Sequence, residues 1–389
     1  MSAPFSFTAP ARLVDFMRQA DEPGLINLAA GIPGLDALPA GELGAALSEA
    51  LTEEGPRLFA YQHPAGDHAL RELLAERLRH RGAALTGSDL VTTTGCTQAL
   101  QLMISALVRP GDVVACEAPA YYGLLELLAA AEARILPLPI RGSHGFDLAE
   151  TRAALTEWKP RCLIVCSSLS NPSGATIPES NREELVSLCR SLGVKIIEDD
   201  IYAELVDGGA PRPLRAFDDG NTVAYVSSFS KSVSPGLRVG VCAPGSLFEE
   251  VATRKCQQDL HSSVVSEVTL RRFLQRGALE PHLANLRARN QHRRMIGLDA
   301  INRSFPTGVR VTEPRGGYML WVELPQPVDL SELRTGARKE RVVFAAGDVF
   351  FAEKPTTSCL RLNCAKAEER DLVHGLEMLG RLVCSLTEF

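Results

Sequence analysis

Residues 227–240 read Ser-Ser-Phe-Ser-Lys-Ser-Val-Ser-Pro-Gly-Leu-Arg-Val-Gly, which places one lysine, Lys231, among hydroxyls and glycines, with Arg238 seven residues later. A lysine forms a Schiff base with a carbonyl when its amine is partly desolvated or lies near other cations, because the neutral nucleophile is then accessible. The hydroxyls before Lys231 and the guanidinium of Arg238 are groups that bind a phosphate dianion. The segment therefore predicts either a covalent site for a phosphorylated aldehyde or a serine-rich surface loop with two ordinary cations.

The length and composition predict a two-domain globular enzyme. The chain has 389 residues, which exceeds the size of one typical core, so we expect a large domain and a smaller one. Its 45% hydrophobic and 23% charged residues are ordinary for such an enzyme. The net charge of −6 includes no basic tract, which argues against nucleic acid or an anionic membrane as a partner. The sequence shows neither a secretion signal nor an apolar run near the ~20 residues that span a bilayer.

The ten cysteines are scattered along the chain. The closest pairs, Cys162/Cys166 and Cys359/Cys364, lie in apolar strand-like runs and lack the spacing of metal ligands. We therefore interpret the cysteines as buried hydrophobic residues, predict no metal site, and expect a reducing, cytoplasmic location.

Strand-like and helical patterns alternate through the middle of the chain, which predicts an α/β fold with a mostly parallel sheet flanked by helices. The predicted strands cover 113–116, 162–166, 194–197 and 223–226, and each is followed by polar residues. Because ligands bind beyond the carboxyl ends of such strands, we expect these polar residues to converge on one site. The predicted helices cover 69–81, 97–107, 123–133, 181–192, 247–275 and 279–302.

The pattern changes after Phe305, where short strands at 309–311, 318–324, 342–344 and 359–362 alternate with helices at 330–339 and 366–386. This arrangement predicts a smaller α+β domain. The first ~45 residues, rich in Pro and Gly, read as an arm and a first helix that join that domain. We expect the boundaries to fall at 1–45 for the arm, 46–290 for the large domain and 291–389 for the small one.

Two polar turns follow predicted strands of the sheet. Asp199 and Tyr202 lie in the segment Ile-Glu-Asp-Asp-Ile-Tyr (197–202), just after a strand. A carboxylate there can keep a pyridine nitrogen protonated, and a phenol in the same turn can reach a neighbouring ring oxygen. Asn171 begins the turn Asn-Pro-Ser-Gly, which fixes an amide at the same sheet edge. Taken singly, each segment is also an ordinary turn.

Three further segments carry candidate binding groups. Gly95, Cys96 and Thr97 precede a predicted helix, where free N–H groups bind phosphate or simply cap the helix. Tyr121 follows a strand end, where its ring either stacks on a planar ligand or packs in the core. Arg361 lies in an apolar strand pattern and therefore needs an anion, either a protein carboxylate or a substrate carboxylate.

With these motifs in this order, the chain resembles the fold-type I pyridoxal-phosphate aminotransferases, the aspartate aminotransferase superfamily. The nearest subgroup contains the aromatic and 2-aminoadipate aminotransferases and the aminotransferase-like domains of MocR-type regulators. The resemblance runs from about Ile26 to the C-terminus. It implies a large domain with a seven-stranded-type sheet, pyridoxal 5'-phosphate as cofactor, amino acids and 2-oxo acids as substrates, and a homodimer with active sites at its interface.

The resemblance also implies the roles of the residues at the reacting centre. Lys231 resembles the lysine that forms the Schiff base with the cofactor, and Asp199 resembles the partner of the pyridinium nitrogen. Tyr202 and Asn171 match the residues that hydrogen-bond the phenolic oxygen of the cofactor. Arg361 matches the arginine that binds the substrate α-carboxylate.

Other matching positions surround that centre. The phosphate-binding set comprises Gly95, Cys96, Thr97, Ser228, Ser230 and Arg238. Tyr121 matches the aromatic that stacks on the cofactor ring, and Gly31 matches the arm glycine near the substrate carboxylate. Tyr61 is similar to the tyrosine that reaches the phosphate across the dimer interface.

The sequence departs from the family pattern at two places. Cys96-Thr97 replaces the more usual Ser-Gln or Ala-Gln, and Ala345-Ala346-Gly347 stands where Pro-Gly is common. The first change leaves the backbone donors intact but alters a side-chain contact. The second alters the rim of the substrate pocket.

Two other functions remain open at the level of the sequence. One is a β-elimination or decarboxylation on the same cofactor, since one scaffold hosts several chemistries. The other is the effector-sensing module of a transcription regulator, which needs a fused DNA-binding domain. The aromatic residues Tyr122, Tyr318, Phe350 and Phe351 favour an aromatic, aliphatic or long-chain amino acid as substrate.

Overall fold

The computed structural model describes residues 5–6, 14, 18, 22–141 and 145–387. Its strands are β1 (Phe5–Ser6), β2 (Ile26–Leu28), β3 (Val91–Thr93), β4 (Val113–Ala118), β5 (Arg134–Arg141), β6 (Gly145–Phe146), β7 (Cys162–Cys166), β8 (Lys195–Asp199), β9 (Val223–Ser228), β10 (Gly240–Ala243), β11 (Arg310–Val311), β12 (Met319–Glu323), β13 (Val342–Ala346) and β14 (Cys359–Asn363). Its helices are α1 (Ala40–Glu54), α2 (His68–His80), α3 (Cys96–Leu107), α4 (Tyr122–Ala130), α5 (Leu148–Trp158), α6 (Glu179–Leu192), α7 (Phe248–Asp259), α8 (Val264–Gln275), α9 (Leu279–Ser304), α10 (Leu330–Lys339) and α11 (Glu369–Thr387).

The larger sheet has the strand order β1-β5-β4-β7-β8-β9-β10-β3, with β6 paired to β5. Neighbours from β5 to β9 are parallel, whereas β10 is antiparallel to both β9 and β3. All five residues of β7 are buried, as expected for a strand that helices cover on both faces. The predicted mostly parallel sheet flanked by helices is confirmed.

The smaller sheet has the order β11-β12-β14-β13-β2 and is antiparallel except where β2 joins it. Strand β2 runs parallel to β13, with Ile26 opposite Val342 and Leu28 opposite Phe344. A segment near the start of the chain therefore completes a sheet that the C-terminal third builds. Helix α1, in contrast, packs with α8 over the larger sheet, where Ala46 is fully buried.

The prediction of one long helix over 247–275 is wrong, because the structure contains two helices there, α7 and α8. Leu260 between them has φ +59°, a positive value that no residue adopts inside a right-handed α-helix. Ser263 then caps α8, with its hydroxyl oxygen accepting the N–H of Ser266 at 3.4 Å. In the described part of the chain, no helix is both long and apolar enough to cross a membrane.

Candidate active site

A cavity of about 380 Å³ lies at the carboxyl edge of the larger sheet, where the sequence predicted the polar residues to converge. The predicted site residues that line it are Gly31, Cys96, Thr97, Tyr121, Asn171, Asp199, Tyr202, Ser230, Lys231 and Arg238. The sequence between them ranges over more than half of the chain. The fold therefore brings together residues at or just after the ends of β3, β4, β7, β8 and β9 and one glycine of the N-terminal arm.

The side-chain amine of Lys231 lies in this cavity. Its Nζ donates a hydrogen bond to the carbonyl oxygen of Gly31 at 2.6 Å. Burial, together with the nearby cations Arg361 and Arg238, lowers the pKa of Lys231 to about 8. An appreciable fraction of the amine is therefore neutral and nucleophilic near physiological pH.

Asp199 ends β8 and lies opposite Cys166 of β7 in the sheet register. Its Oδ1 accepts the backbone N–H of Ile201 at 3.1 Å, and the Sγ of Cys96 lies 3.4 Å from the same oxygen. Burial raises the pKa of Asp199 to about 6, against the effect of these donors. Near neutral pH the group is thus mainly a carboxylate that a cationic partner would stabilise further.

The N-terminus of α3 and Arg238 form the anion-binding end of the cavity. Gly95 precedes the helix with φ +78°, and a Cβ at this position would lie 2.5 Å from the Nη2 of Arg238. Arg238 itself donates to the Thr94 carbonyl oxygen at 3.1 Å and to the hydroxyl of Ser230 at 3.3 Å. Glycine therefore lets a guanidinium lie against a helix start, and both groups attract a phosphate.

Arg361, in β14, is fully buried at the opposite end of the site. Its Nη1 donates to the Oδ1 of Asn171 at 2.9 Å, and its Nη2 donates to the carbonyl oxygen of Ala29. Its Nε is buried and has no hydrogen-bond partner in the described part of the chain. The guanidinium carbon lies 4.9 Å from the ring centroid of Phe350. A buried cation with a free N–H is a natural site for a carboxylate.

Burial also determines the protonation state of the two phenols Tyr202 and Tyr121 in the cavity. It raises the pKa values of Tyr202 and Tyr121 well above the ordinary range, so both side chains keep their protons. Tyr202 is 4% exposed and packs edge-on to Tyr318, with ring centroids 6.5 Å apart. A neutral phenol in this place can donate a hydrogen bond to a bound anion or phenolate oxygen.

Four predicted residues do not line the cavity itself: Gly95, Arg361, Ser228 and Tyr61. Gly95 and Arg361 adjoin residues that do, because Gly95 lies against Arg238 and Arg361 donates to Asn171. Ser228 is buried behind Ser230, where its hydroxyl donates to the Val239 carbonyl oxygen at 2.9 Å and accepts the Ser230 N–H at 3.1 Å. Tyr61 is 85% exposed, and its ring packs edge-on to His261. Within a single chain, Ser228 thus shapes the phosphate end indirectly and Tyr61 takes no part in it.

Asn363 is a site residue that the sequence reasoning missed. Its Nδ2 donates to the carbonyl oxygens of Ala30 and, at 2.8 Å, of Ile32, which fixes the arm over the cavity. Alternation along a strand places residues 361 and 363 on one face, so the position of Arg361 could have revealed it. Cys166, the last residue of β7, also lines the cavity, whereas the sequence predicts only a buried core cysteine.

These groups fit pyridoxal phosphate. A helix start with an arginine suits the phosphate, an amine of lowered pKa suits the aldehyde, and a buried carboxylate with one oxygen bound by two donors suits a ring N–H. Tyr121 supplies an aromatic surface within the same cavity. Together, the fold and the site define a fold-type I pyridoxal-phosphate enzyme.

The chain belongs to the aminotransferase class I and II family, whose model matches residues 23–379. It is 31% identical over 378 residues to the 2-aminoadipate transaminase of Thermus thermophilus, covering 96% of this chain and 93% of the relative. It is 28% identical over 381 residues to the Escherichia coli protein named as uncharacterized HTH-type transcriptional regulator YjiR, covering 98% of this chain and 81% of the relative.

Among solved structures, the chain is similar to the α-aminoadipate aminotransferase LysN of T. thermophilus in complex with N-(5'-phosphopyridoxyl)-L-leucine. The TM-score is 0.88 at 30% identity, and the match covers 95% of each chain. The protein is therefore a pyridoxal-phosphate-dependent aminotransferase, which moves an amino group between an amino acid and a 2-oxo acid.

Proposed function

We propose that Lys231 attaches the cofactor covalently and that its neutral amine moves the proton at the substrate Cα during amino-group transfer. The observation that carries this assignment is the lowered pKa of Lys231, about 8, in the cavity that also contains Asp199. Among the described residues that line the cavity, Lys231 alone has an amine. A base with a pKa near the working pH both accepts and returns a proton efficiently.

For the other residues of the site we propose the roles that the family resemblance implies. When bound, pyridoxal phosphate supplies an electron sink for negative charge at the substrate Cα. Asp199 would hold a proton on the ring nitrogen, and Tyr202 and Asn171 would hydrogen-bond the phenolic oxygen. Arg361 offers its unpartnered Nε to the substrate α-carboxylate, which orients the Cα proton toward Nζ of Lys231.

Substitution of Lys231 tests the assignment directly. We expect Lys231→Ala to lose turnover, while Lys339→Ala, which removes an exposed lysine of α10, leaves it unchanged. Borohydride reduction of the wild-type holoenzyme followed by peptide mass analysis should place the cofactor on Lys231. Retained transamination by Lys231→Ala, or cofactor mass on another lysine, would overturn the assignment.

We propose an aromatic, aliphatic or long-chain amino acid as the amino donor. The aromatic rings of Tyr122 and Phe350 lie 5.9 and 4.9 Å from the guanidinium carbon of Arg361, and Ile32 lines the cavity. The names of the similar proteins, a 2-aminoadipate transaminase and a complex with a phosphopyridoxyl-leucine, support donors of this kind.

A half-reaction screen tests the donor class. The yellow holoenzyme is mixed with single amino acids, and the absorbance of the pyridoxamine form shows which of them react. Fast conversion by phenylalanine, leucine or 2-aminoadipate supports the proposal, and conversion by aspartate alone contradicts it. Release of pyruvate and ammonia without a 2-oxo acid acceptor would instead favour a lyase.

We further propose a homodimer in which Tyr61 reaches the cofactor phosphate of the partner subunit. Tyr61 and Phe59, just before it, are 85% and 73% exposed, and Leu260 close by His261 is 52% exposed. Large apolar side chains exposed together mark a protein interface. These residues support the dimer because a monomer leaves them in water.

We also propose the division of the chain into a large domain over 46–290 and a small domain over 291–389. The separate sheets support the division, and the boundary falls inside α9, which therefore connects the two domains. A cytoplasmic location is proposed from the ten cysteines, all of which are free thiols in the structure.

A further inference from the structure

Cys96 has a side chain that the cofactor-binding scheme does not use. It is the first residue of α3 and is 6% exposed. Its backbone belongs to the helix start that suits a phosphate, but its Sγ turns to Asp199 and lies 3.4 Å from Oδ1. The sequence departs from the family pattern at this position, so the contact depends on a cysteine where the family more usually has serine or alanine.

The thiol is the donor in this hydrogen bond. Burial and the neighbouring Asp199 raise the pKa of Cys96 well above its ordinary value, so the sulfur keeps its proton. The backbone N–H of Ile201 donates to the same Oδ1 at 3.1 Å. No hydrogen bond from the described residues reaches Oδ2 of Asp199, and this oxygen stays available on a side chain that lines the cavity.

Cys166 provides an internal comparison. It also lines the cavity, and it pairs with Asp199 in the sheet register. Its Sγ, however, donates to the backbone carbonyl oxygen of Ser168 at 3.5 Å and not to the carboxylate. Of the two thiols that line the cavity, Cys96 is therefore the one that contacts Asp199 through a hydrogen bond.

We propose that Cys96 is a positioning residue, whose S–H holds Oδ1 of Asp199 so that Oδ2 faces the cofactor ring nitrogen. The inference rests on the proposed role of Asp199. The same hydrogen bond favours the ionised carboxylate over the acid. Other groups also interact electrostatically with the Asp199 carboxylate: Lys231, Asp200, Glu117, Cys166 and Tyr121.

Infrared spectroscopy of the cofactor-free chain tests the contact itself. The difference between wild type and Cys96→Ala isolates the S–H stretching band of Cys96, and Asp199→Asn should shift that band because the thiol loses a charged acceptor. The Cys166 band, isolated through Cys166→Ala, should shift much less. A Cys96 band that does not respond to Asp199→Asn would overturn the proposal whatever the role of Lys231.

Titration of the Asp199 carboxylate band and cofactor affinity give the functional readouts. In Cys96→Ala we expect the pKa of Asp199 to rise above the wild-type value of about 6, and the cofactor-free protein to bind pyridoxal phosphate about 10-fold more weakly. Cys96→Ser retains a hydroxyl donor and should restore both quantities. If Cys96→Ala titrates and binds like wild type, Cys96 has no positioning role; if Cys96→Ser fails as Cys96→Ala does, packing and not hydrogen bonding explains the loss.

Discussion

At the scale of single residues, two aspartates show how the local environment decides between function and stability. Asp199 is buried at the end of β8, and its pKa is raised from 3.8 to about 6. Asp218 is also partly buried, but the backbone N–H groups of Val223, Thr222 and Gly220 outweigh burial and lower its pKa to about 2. The first carboxylate therefore costs folding free energy at neutral pH, whereas the second contributes to it.

The stability of Asp199→Asn tests this contrast. Asp199 loses its proton near pH 3.8 in the unfolded chain and near pH 6 in the folded chain. The free energy of unfolding therefore falls as the pH rises between these two values. In the cofactor-free protein at pH 7, Asp199→Asn should therefore increase the free energy of unfolding, by at most about 3 kcal/mol. The gain should disappear below pH about 4, as measured by urea unfolding at both pH values.

Asp218→Asn is the matched control of opposite sign. The stability that ionised Asp218 contributes is present above pH 3.8 and is lost as the pH falls through about 2. We therefore expect Asp218→Asn to be destabilised at pH 7, where Asp199→Asn is stabilised. Equal effects of the two substitutions would contradict the assigned environments.

Lys231 gives a prediction on the pH dependence of cofactor attachment. Its pKa is lowered to about 8, so the neutral fraction of the amine grows as the pH rises toward that value and is nearly complete one unit above it. The rate at which the cofactor-free protein takes up pyridoxal phosphate should rise about 10-fold per pH unit well below 8 and level off above it. Stopped-flow absorbance measures this rate. A profile that levels off only near 10.5 would show that the amine is not perturbed.

At the scale of secondary-structure elements, the turn before α3 couples a glycine to phosphate binding. A Cβ at Gly95 would lie 2.5 Å from the Nη2 of Arg238, at a backbone φ of +78°. Gly95→Ala should therefore displace Arg238 and weaken pyridoxal phosphate binding at least about 10-fold, while the affinity for pyridoxal, which lacks the phosphate, changes much less. Fluorescence titration with each compound separates the two effects.

Gly44→Ala is the control for that substitution. Gly44 lies in α1, and a Cβ there would have nothing within 4 Å. We expect this change to leave cofactor affinity unaltered and to stabilise the helix by about 0.5–1 kcal/mol. A comparable loss of affinity in both variants would contradict the role of the turn.

The sequence predicted the strand ends that bear the site residues better than it predicted the helix boundaries outside the site. Polar residues after buried strands identify Asp199 and Asn171, because strand ends in a parallel sheet share one edge. The break at Leu260 was not predicted, because its positive φ occurs at a leucine and is not marked by a glycine or a proline. The motif predicts a phosphate contact for Ser228, yet its hydroxyl donates a hydrogen bond to the carbonyl oxygen of Val239. Motif position alone does not say which neighbour a hydroxyl chooses.

At the scale of the whole molecule, the proposed dimer makes each site depend on two chains. Tyr61, which is 85% exposed, would complete the phosphate site of the partner subunit, so Tyr61→Phe should weaken cofactor binding. A mixture of Tyr61→Phe and Lys231→Ala chains should regain activity, because each mixed dimer contains one site with both residues intact. Activity is measured after the two variants are unfolded and refolded together.

Controls for the mixture are each variant refolded alone. The Lys231→Ala protein should stay inactive, and sedimentation should show the mass of two chains in every sample. If mixing restores nothing although mixed dimers form, Tyr61 acts in its own chain or not at all. A monomer in solution would contradict the proposed dimer itself.

The pairing of β2 with β13 has a consequence for the order in which the protein assembles during synthesis. Leu28 pairs with Phe344, so the arm emerges from the ribosome 316 residues before its partner. At about 5–20 residues per second, the arm waits roughly 15–60 s while the larger sheet is being completed. The phosphate-binding end of the cavity, formed by the start of α3 and Arg238, can therefore form early. The carboxylate-binding end can form only when translation is nearly finished, because it needs Ala29 and Gly31 of the arm together with Arg361 and Asn363.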